Sequence, residues 1–245
     1  MVHPFFVFWG KENHMWDNFG QQLYDNIIAQ DRWLEYLEGL GNTILMTIIA
    51  AMIGVILGSL VAICKVYAKD NKKLKVLDVI CNVYLTVIRG TPMMVQVMIM
   101  VFIIAASAPL NMSIWFATLA LGINSGAYVA EIVRAGIMAV DRGQMEAGRS
   151  LGLSKNVTMK KIVFPQAIKN ILPALGNEAI VLFKETAIVG YVAVADLTFK
   201  AAAIRSRTMS PVPLLVIMVL YLLVVMLMTW GLRKMEKRLA RSDYR

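Results

Sequence analysis

Glu131, Lys184, Glu185 and Asp196 sit inside or beside stretches that are otherwise apolar, and Thr91, Gln96, Asn124, Ser125, Tyr128 and Thr186 add neutral hydrogen-bonding groups to the same stretches. An ionised side chain at bilayer depth costs roughly 2.5–3.5 kcal/mol on insertion scales, so such residues face a bundle interior or a watery cavity and mark routes for polar solutes. The chemistry on offer is recognition rather than bond cleavage. The sequence contains no HExxH, no GxSxG and no paired intramembrane aspartates, and His3 and His14 are isolated, so no residue is assigned a catalytic or metal-binding role. Each neutral group also has a plainer reading as a helix–helix hydrogen bond. Glu131 and Arg134, three residues apart, read first as a structural ion pair.

The elements that must hold these groups are membrane helices. The 245 residues are 58% hydrophobic, with a mean hydropathy of +0.63, well above ordinary soluble composition. Residues 39–64 and 90–130 are uncharged, the second run broken by a turn-like Ala-Pro-Leu-Asn at 108–111. A helix needs about 20 apolar residues to cross the hydrocarbon core, which gives one span and two spans respectively. Five spans are expected, over about 42–66, 91–108, 113–140, 176–203 and 212–231. Thr91 is the expected N-cap of the second and Pro92 its first helical residue. Gly54 and Gly58 give the first span a close-approach face. The fourth span carries Glu178, Lys184, Glu185, Asp196 and Lys200, and a helix so charged cannot face lipid all round.

Charge placement sets the orientation. The net charge of +9 is gathered at 65–75, 142–169 and 233–245, beside apolar segments, which reads as cytoplasmic flanks rather than as a nucleic-acid surface. Residues 1–38 hold six acids against Lys11 and Arg32 and form an outer segment, with an interfacial helix over 16–39 that carries Trp16 and Trp33. Residues 39–245 form one helical domain. The N-terminus is thus outside and the C-terminus cytoplasmic, and no signal-peptide pattern opens the chain. Lys200, Arg205 and Arg207 go against this bias, because they fall at the outer end of the fourth span. Cys64 and Cys81 lie near the cytoplasmic boundary, where thiols stay reduced.

The stretch "QMEAGRSLGLSKNVTMKKIVFP", 144–165, lies in a polar insert over about 141–175. Gly148 and Gly152 are one helical turn apart, and with Ala147 they predict a nearly bare helix face. Two glycines cost about 1 kcal/mol each against alanine, which suits a helix seated in a partner's cleft better than one left on a surface. Ser154 is the expected N-cap of a second short helix, with Lys155, Lys160 and Lys161 wet and Val157, Ile162 and Phe164 turned inward.

Glu146-Ala147-Gly148, Gly152, then Ile162 and Pro165 resemble the Glu-Ala-Ala…Gly…Ile-x-Leu-Pro loop of importer permeases of the ATP-binding-cassette superfamily. "RGTPMMVQ" (89–96), "YVAEIVRAGI" (128–137), "FPQAIKNILPALGNE" (164–178) and "FKETAIV" (183–189) are similar to the polar amino acid permease subfamily. Glycine replaces the third motif residue and Phe164 the leucine. The resemblance spans about 40–235.

That resemblance implies an all-α integral membrane protein of five transmembrane helices, with an N-terminal interfacial helix and a cytoplasmic coupling helix. The docking residues would be Gln144, Glu146, Ala147, Gly148, Leu151, Gly152, Ile162 and Pro165. ATP and Mg would be held by a separate cytoplasmic ATPase dimer, since this chain has no G-x-x-x-x-G-K-[ST] and binds no cofactor of its own. The other implied partners are a second permease subunit, identical or similar, an extracellular solute-binding protein, an amino acid and the lipid bilayer of a bacterial plasma membrane. The fourth span would line a central path in which acidic residues, hydroxyls and backbone meet a zwitterion's two charges. The competing reading is an ion-coupled secondary carrier working alone.

Overall fold

The computed structural model describes residues 18–68 and 74–241, with helix as the only regular secondary structure among them. Trp16, the two histidines, Lys69, Lys72, Lys73 and residues 242–245 lie outside that range. In chain order the α-helices are α1 (Phe19–Leu23), α2 (Arg32–Ala68), α3 (Lys75–Gly90), α4 (Met93–Ile99), α5 (Ser113–Met138), α6 (Arg142–Ser150), α7 (Lys155–Thr158), α8 (Phe164–Glu185), α9 (Leu197–Thr208) and α10 (Val212–Arg241). Three stretches, Phe19–Ala68, Leu110–Met138 and Val212–Leu239, are long and apolar enough to cross a membrane by themselves. Two bent pairs complete five: Lys75–Gly90 with Met93–Ile104, turning 107°, and Lys155–Val192 with Leu197–Thr208, turning 47°.

The bundle is organised around α2 and α5. Gly54 and Gly58 make that contact possible, as their spacing predicts: a Cβ on Gly58 would fall 2.6 Å from both Gly126 O and Val129 Cβ, and one on Gly54 would fall 2.9 Å from Ser125 Oγ. Around this seam lie Met46, Ala50, Val97, Ala117, Leu121, Leu182 and Val189, all buried. By contrast Leu222, Leu223, Met226 and Leu227 of α10 are each more than half exposed, as suits a face turned to lipid or to another chain.

Several boundaries differ from the sequence expectation. The interfacial helix does not run from 16 to 39. It breaks at 29–31, where Gln30 (φ 57°) and Asp31 (φ 54°) take left-handed conformations, and Trp33 to Glu38 already belong to α2. The first membrane helix therefore starts ten residues before Asn42, and position 38/39 lies within it. The insert is likewise shorter than 141–175, because Pro165 sits in the first turn of α8 and starts that helix rather than stopping it. Thr91 does not cap α4, whose N-cap is Pro92 without a side-chain bond. Its hydroxyl instead donates back to Val87 O at 2.8 Å, closing α3.

The out-of-place basic residues find acids. Lys200 Nζ donates to Glu38 Oε2 at 2.7 Å, and Arg207 donates to Glu35 Oε2 at 2.5 Å. Both pairs tie α9 to the N-terminal end of α2. The insert packs at the other end, where Ile63, Val66 and Tyr67 share a cleft with Asn156, Met159, Lys160 and Phe164. The acidic N-terminal segment and the insert are thus at opposite ends of the first long helix.

Candidate functional site

The insert starts at Asp141, whose carboxylate accepts from Gly143 N at 2.7 Å and caps α6. Gly148 is buried, and a Cβ there would overlap Thr158 Cγ2 and crowd Ile162 Cδ1. Gly152 takes φ +79° and closes α6, with Leu153 N donating to Gly148 O at 3.1 Å and Gly152 N to Arg149 O at 3.0 Å. This is the left-handed C-terminal closure that glycine favours. The two glycines therefore serve the insert's own fold, contrary to the bare face expected from their spacing. The surface left outward carries Gln144, Glu146, Ala147, Leu151, Gly152 and Pro165, with Leu151 80% exposed. Ile162 is half-buried beneath Gly148.

Ser154 caps α7 as expected, accepting from Val157 N at 3.4 Å. The inward face differs, however. Thr158 and Val163 are buried, while Val157 and Phe164 are exposed. A π-helical turn over Met159–Val163 adds a residue to the turn and rotates the register that simple α-helical spacing assigns.

Inside the bundle the polar residues form two groups. In the first, Gln96 Nε2 donates to Ile88 O and to Thr91 Oγ1, both at 2.8 Å, and Gln96 Oε1 accepts from Asn124 Nδ2 at 3.0 Å. Next to Asn124 on α5, Ser125 Oγ donates to Glu178 Oε1 of α8 at 2.9 Å. Thr91, Gln96, Asn124, Ser125 and Glu178 thus make one polar seam across four helices. In the second, Arg134 and Glu131 pair at 2.7 Å, Arg89 lies 3.9 Å from the same carboxylate, and the Arg89 guanidinium sits 5.7 Å from the Tyr128 ring centroid.

The remaining candidates are apart from both groups. Lys184 is exposed and Glu185 half-buried. Thr186 is buried with its hydroxyl on Phe183 O at 2.6 Å. Asp196 is fully buried and caps α9, accepting from Phe199 N at 2.8 Å. It holds the bend of the fourth span, which Thr43 and Asn42 of α2 reinforce through Leu197 N (3.1 Å) and Ala195 O (2.8 Å). Sequence reasoning does not single out two residues of this region. Glu178 is visible only as one of several charges in the fourth span, and Tyr221, whose hydroxyl lies 3.3 Å from Thr198 Oγ1, has no signal in its apolar run.

Interrupted spans around a polar seam, with a capped helical insert standing at one end of the bundle, define a helical membrane protein of the transport type. Residues 54–241 match the family described as binding-protein-dependent transport system inner membrane component, and the chain belongs to that family. It is 40% identical over 209 residues to a putative glutamine transport system permease protein GlnP of Rickettsia typhi, covering 83% of this chain and 92% of the relative. It is 37% identical over 209 residues to the arginine transport system permease protein ArtQ of Bacillus subtilis, covering 84% and 93%. The L-cystine transport system permease protein TcyB of the same organism is 31% identical over 218 residues, covering 88% and 91%. Among solved structures, an amino acid ABC transporter crystallised with histidines superposes with TM-score 0.76 at 41% identity, covering 83% of this chain and 94% of the other. The inward-facing MetNI methionine ABC transporter shares the fold, with TM-score 0.70 at 18% identity over 86% and 99% of the two chains.

Proposed function

We infer that this chain is the transmembrane permease subunit of an ATP-driven importer for polar amino acids, paired with a second permease subunit on a cytoplasmic ATPase dimer and fed by an extracellular binding protein. The observation that carries the reading is the insert. Its helix α6 keeps an outward rim of Gln144, Glu146, Ala147 and Leu151 while its glycines lock it to α7, so it is a rigid knob rather than a loose loop. A rigid knob transmits the closure of a partner into tilting of the spans behind it, because α8 leads directly out of the insert into the bundle. The ATPase, holding ATP and Mg, supplies the differential binding that exchanges outward and inward openings. Relatives named for glutamine, arginine and cystine transport share the α-amino acid group, and Ser125, Glu178, Asn124 and Gln96 offer a hydroxyl, a carboxylate and two amides to such a group. The insert and the C-terminal tail are basic and are placed in the cytoplasm; the acidic N-terminal segment is placed outside.

The test is uptake in proteoliposomes. With the ATPase and binding protein added, amino acid uptake should require ATP. Uptake that persists without either ATP or ATPase would replace this reading with that of an ion-coupled carrier.

A further inference from the structure

At the end of the bundle opposite the insert, residues 22–32 and the turn 207–211 enclose a cavity of about 750 Å³. That volume lies within the roughly 300–1,000 Å³ of small-molecule sites. Nothing in the transport reading uses it. Two of its lining residues, Arg32 and Asn26, are respectively 9% and 1% exposed.

Arg32 is a buried cation with no counter-ion among the described residues. Its guanidinium donates to Asp25 O and, at 2.9 Å, to Gln30 Oε1, both neutral acceptors, while its Nε has no partner. The acids of α2 nearest in sequence are engaged elsewhere, Glu35 with Arg207 and Glu38 with Lys200. Asn26 Nδ2 donates to Gln22 O at 2.8 Å, but its Oδ1 accepts nothing. Removing a charge from water without pairing it costs several kcal/mol, and a buried carbonyl oxygen left unbonded adds to that. An anion in the cavity would offset the first penalty, and a donor on the same molecule the second.

We propose that this cavity binds a free α-amino acid, with Arg32 as the anchor for its carboxylate. Asn26 Oδ1 and the Asp25 carboxylate face its ammonium. The site is separate from the Ser125–Glu178 seam and at the opposite end of α2 from the insert. It goes beyond the importer reading, and its binding is measurable with no transport taking place.

The full chain in nanodiscs, with Met209→Cys carrying an environment-sensitive dye in a Cys64→Ser, Cys81→Ser background, reports on the cavity directly, because Met209 lines it and is 82% exposed. L-glutamine should give a saturable signal, and L-glutaminamide, which lacks the carboxylate, should bind at least about tenfold more weakly. Arg32→Gln should weaken L-glutamine by a similar factor. Asn26→Asp should do so too while keeping the fold, since it supplies the cation with an anion in cis. Glu178→Gln should leave the signal unchanged, which separates this site from the transport seam. The proposal is overturned by an amide that binds as tightly as the acid, by affinity unchanged in both cavity variants, or by no saturable signal. Failure of ATP-driven uptake would bear on the importer reading alone.

Discussion

Ser125 Oγ donates to Glu178 Oε1 across 2.9 Å, joining α5 to α8 where the fourth span would otherwise bring an unpaired carboxylate into the bundle. Ser125 is buried beside Gly54 of α2, so the same residue that lets two helices approach also presents a hydroxyl to the third. This bond is the point at which packing of the bundle and recognition of solute meet.

Removing it separates the two roles. Ser125→Ala should lower stability by about 1.5–3 kcal/mol, the range for a hydrogen bond to a charged group. Glu178→Gln keeps an acceptor and removes the charge, so it should leave the melting temperature nearly unchanged while reducing ATP-dependent amino acid uptake. Thermal unfolding in detergent beside proteoliposome uptake reads both. Equal uptake by Glu178→Gln and wild type would take the seam out of the solute path.

The insert gives a contrast between its surface and its interior. Leu151, 80% exposed, is available to a partner. Leu151→Asp should abolish pull-down of the ATPase without altering membrane insertion or thermal stability. Gly148→Leu should lose the same association for a different reason, because its side chain displaces Thr158 and Ile162. Protease protection of the insert distinguishes them, falling in the glycine variant and unchanged in the leucine variant.

Gly58 and Gly41 lie on one helix but in different surroundings. A Cβ on Gly58 meets Gly126 O at 2.6 Å, whereas one on Gly41 meets nothing within 4 Å. Gly58→Ala should destabilise by about 1–3 kcal/mol through overpacking. Gly41→Ala should stabilise by up to about 1 kcal/mol through helix propensity. Melting temperatures moving in opposite directions are the expected result; a shift of the same sign would reject the α2–α5 contact as drawn.

The ion pair between Lys200 and Glu38 is half open to solvent, with side-chain exposures of 18% and 60%. Glu38→Gln should therefore cost less than about 1 kcal/mol, and less still in high salt. A larger, salt-independent loss in chemical denaturation would mean that the pair is sealed from water by a partner.

The helical class and the number of spans are legible in the sequence because hydrophobic run length is a local property, set by bilayer thickness. Gly54 and Gly58 are legible for the same reason, since small residues one turn apart matter wherever two helices touch. The glycines of the insert are not. Spacing shows that Gly148 leaves room, but not whether Thr158 of the same chain or a foreign surface fills it. Thr91 likewise carries a capping side chain, and only the 107° bend decides that it closes α3 instead of opening α4.

Composition and charge alone thus determined that the chain lives in a membrane, which end of it is acidic and where its polar insert falls. Tertiary structure decided which polar groups meet. Gln96 reaches Asn124 over 28 positions, Ser125 reaches Glu178 over 53, and Glu35 reaches Arg207 over 172. Periodicity carries information over a few turns of one helix, whereas these contacts depend on how separate helices are rotated and shifted against each other. That arrangement also left Arg32 buried without an anion, which no local pattern in the sequence displays.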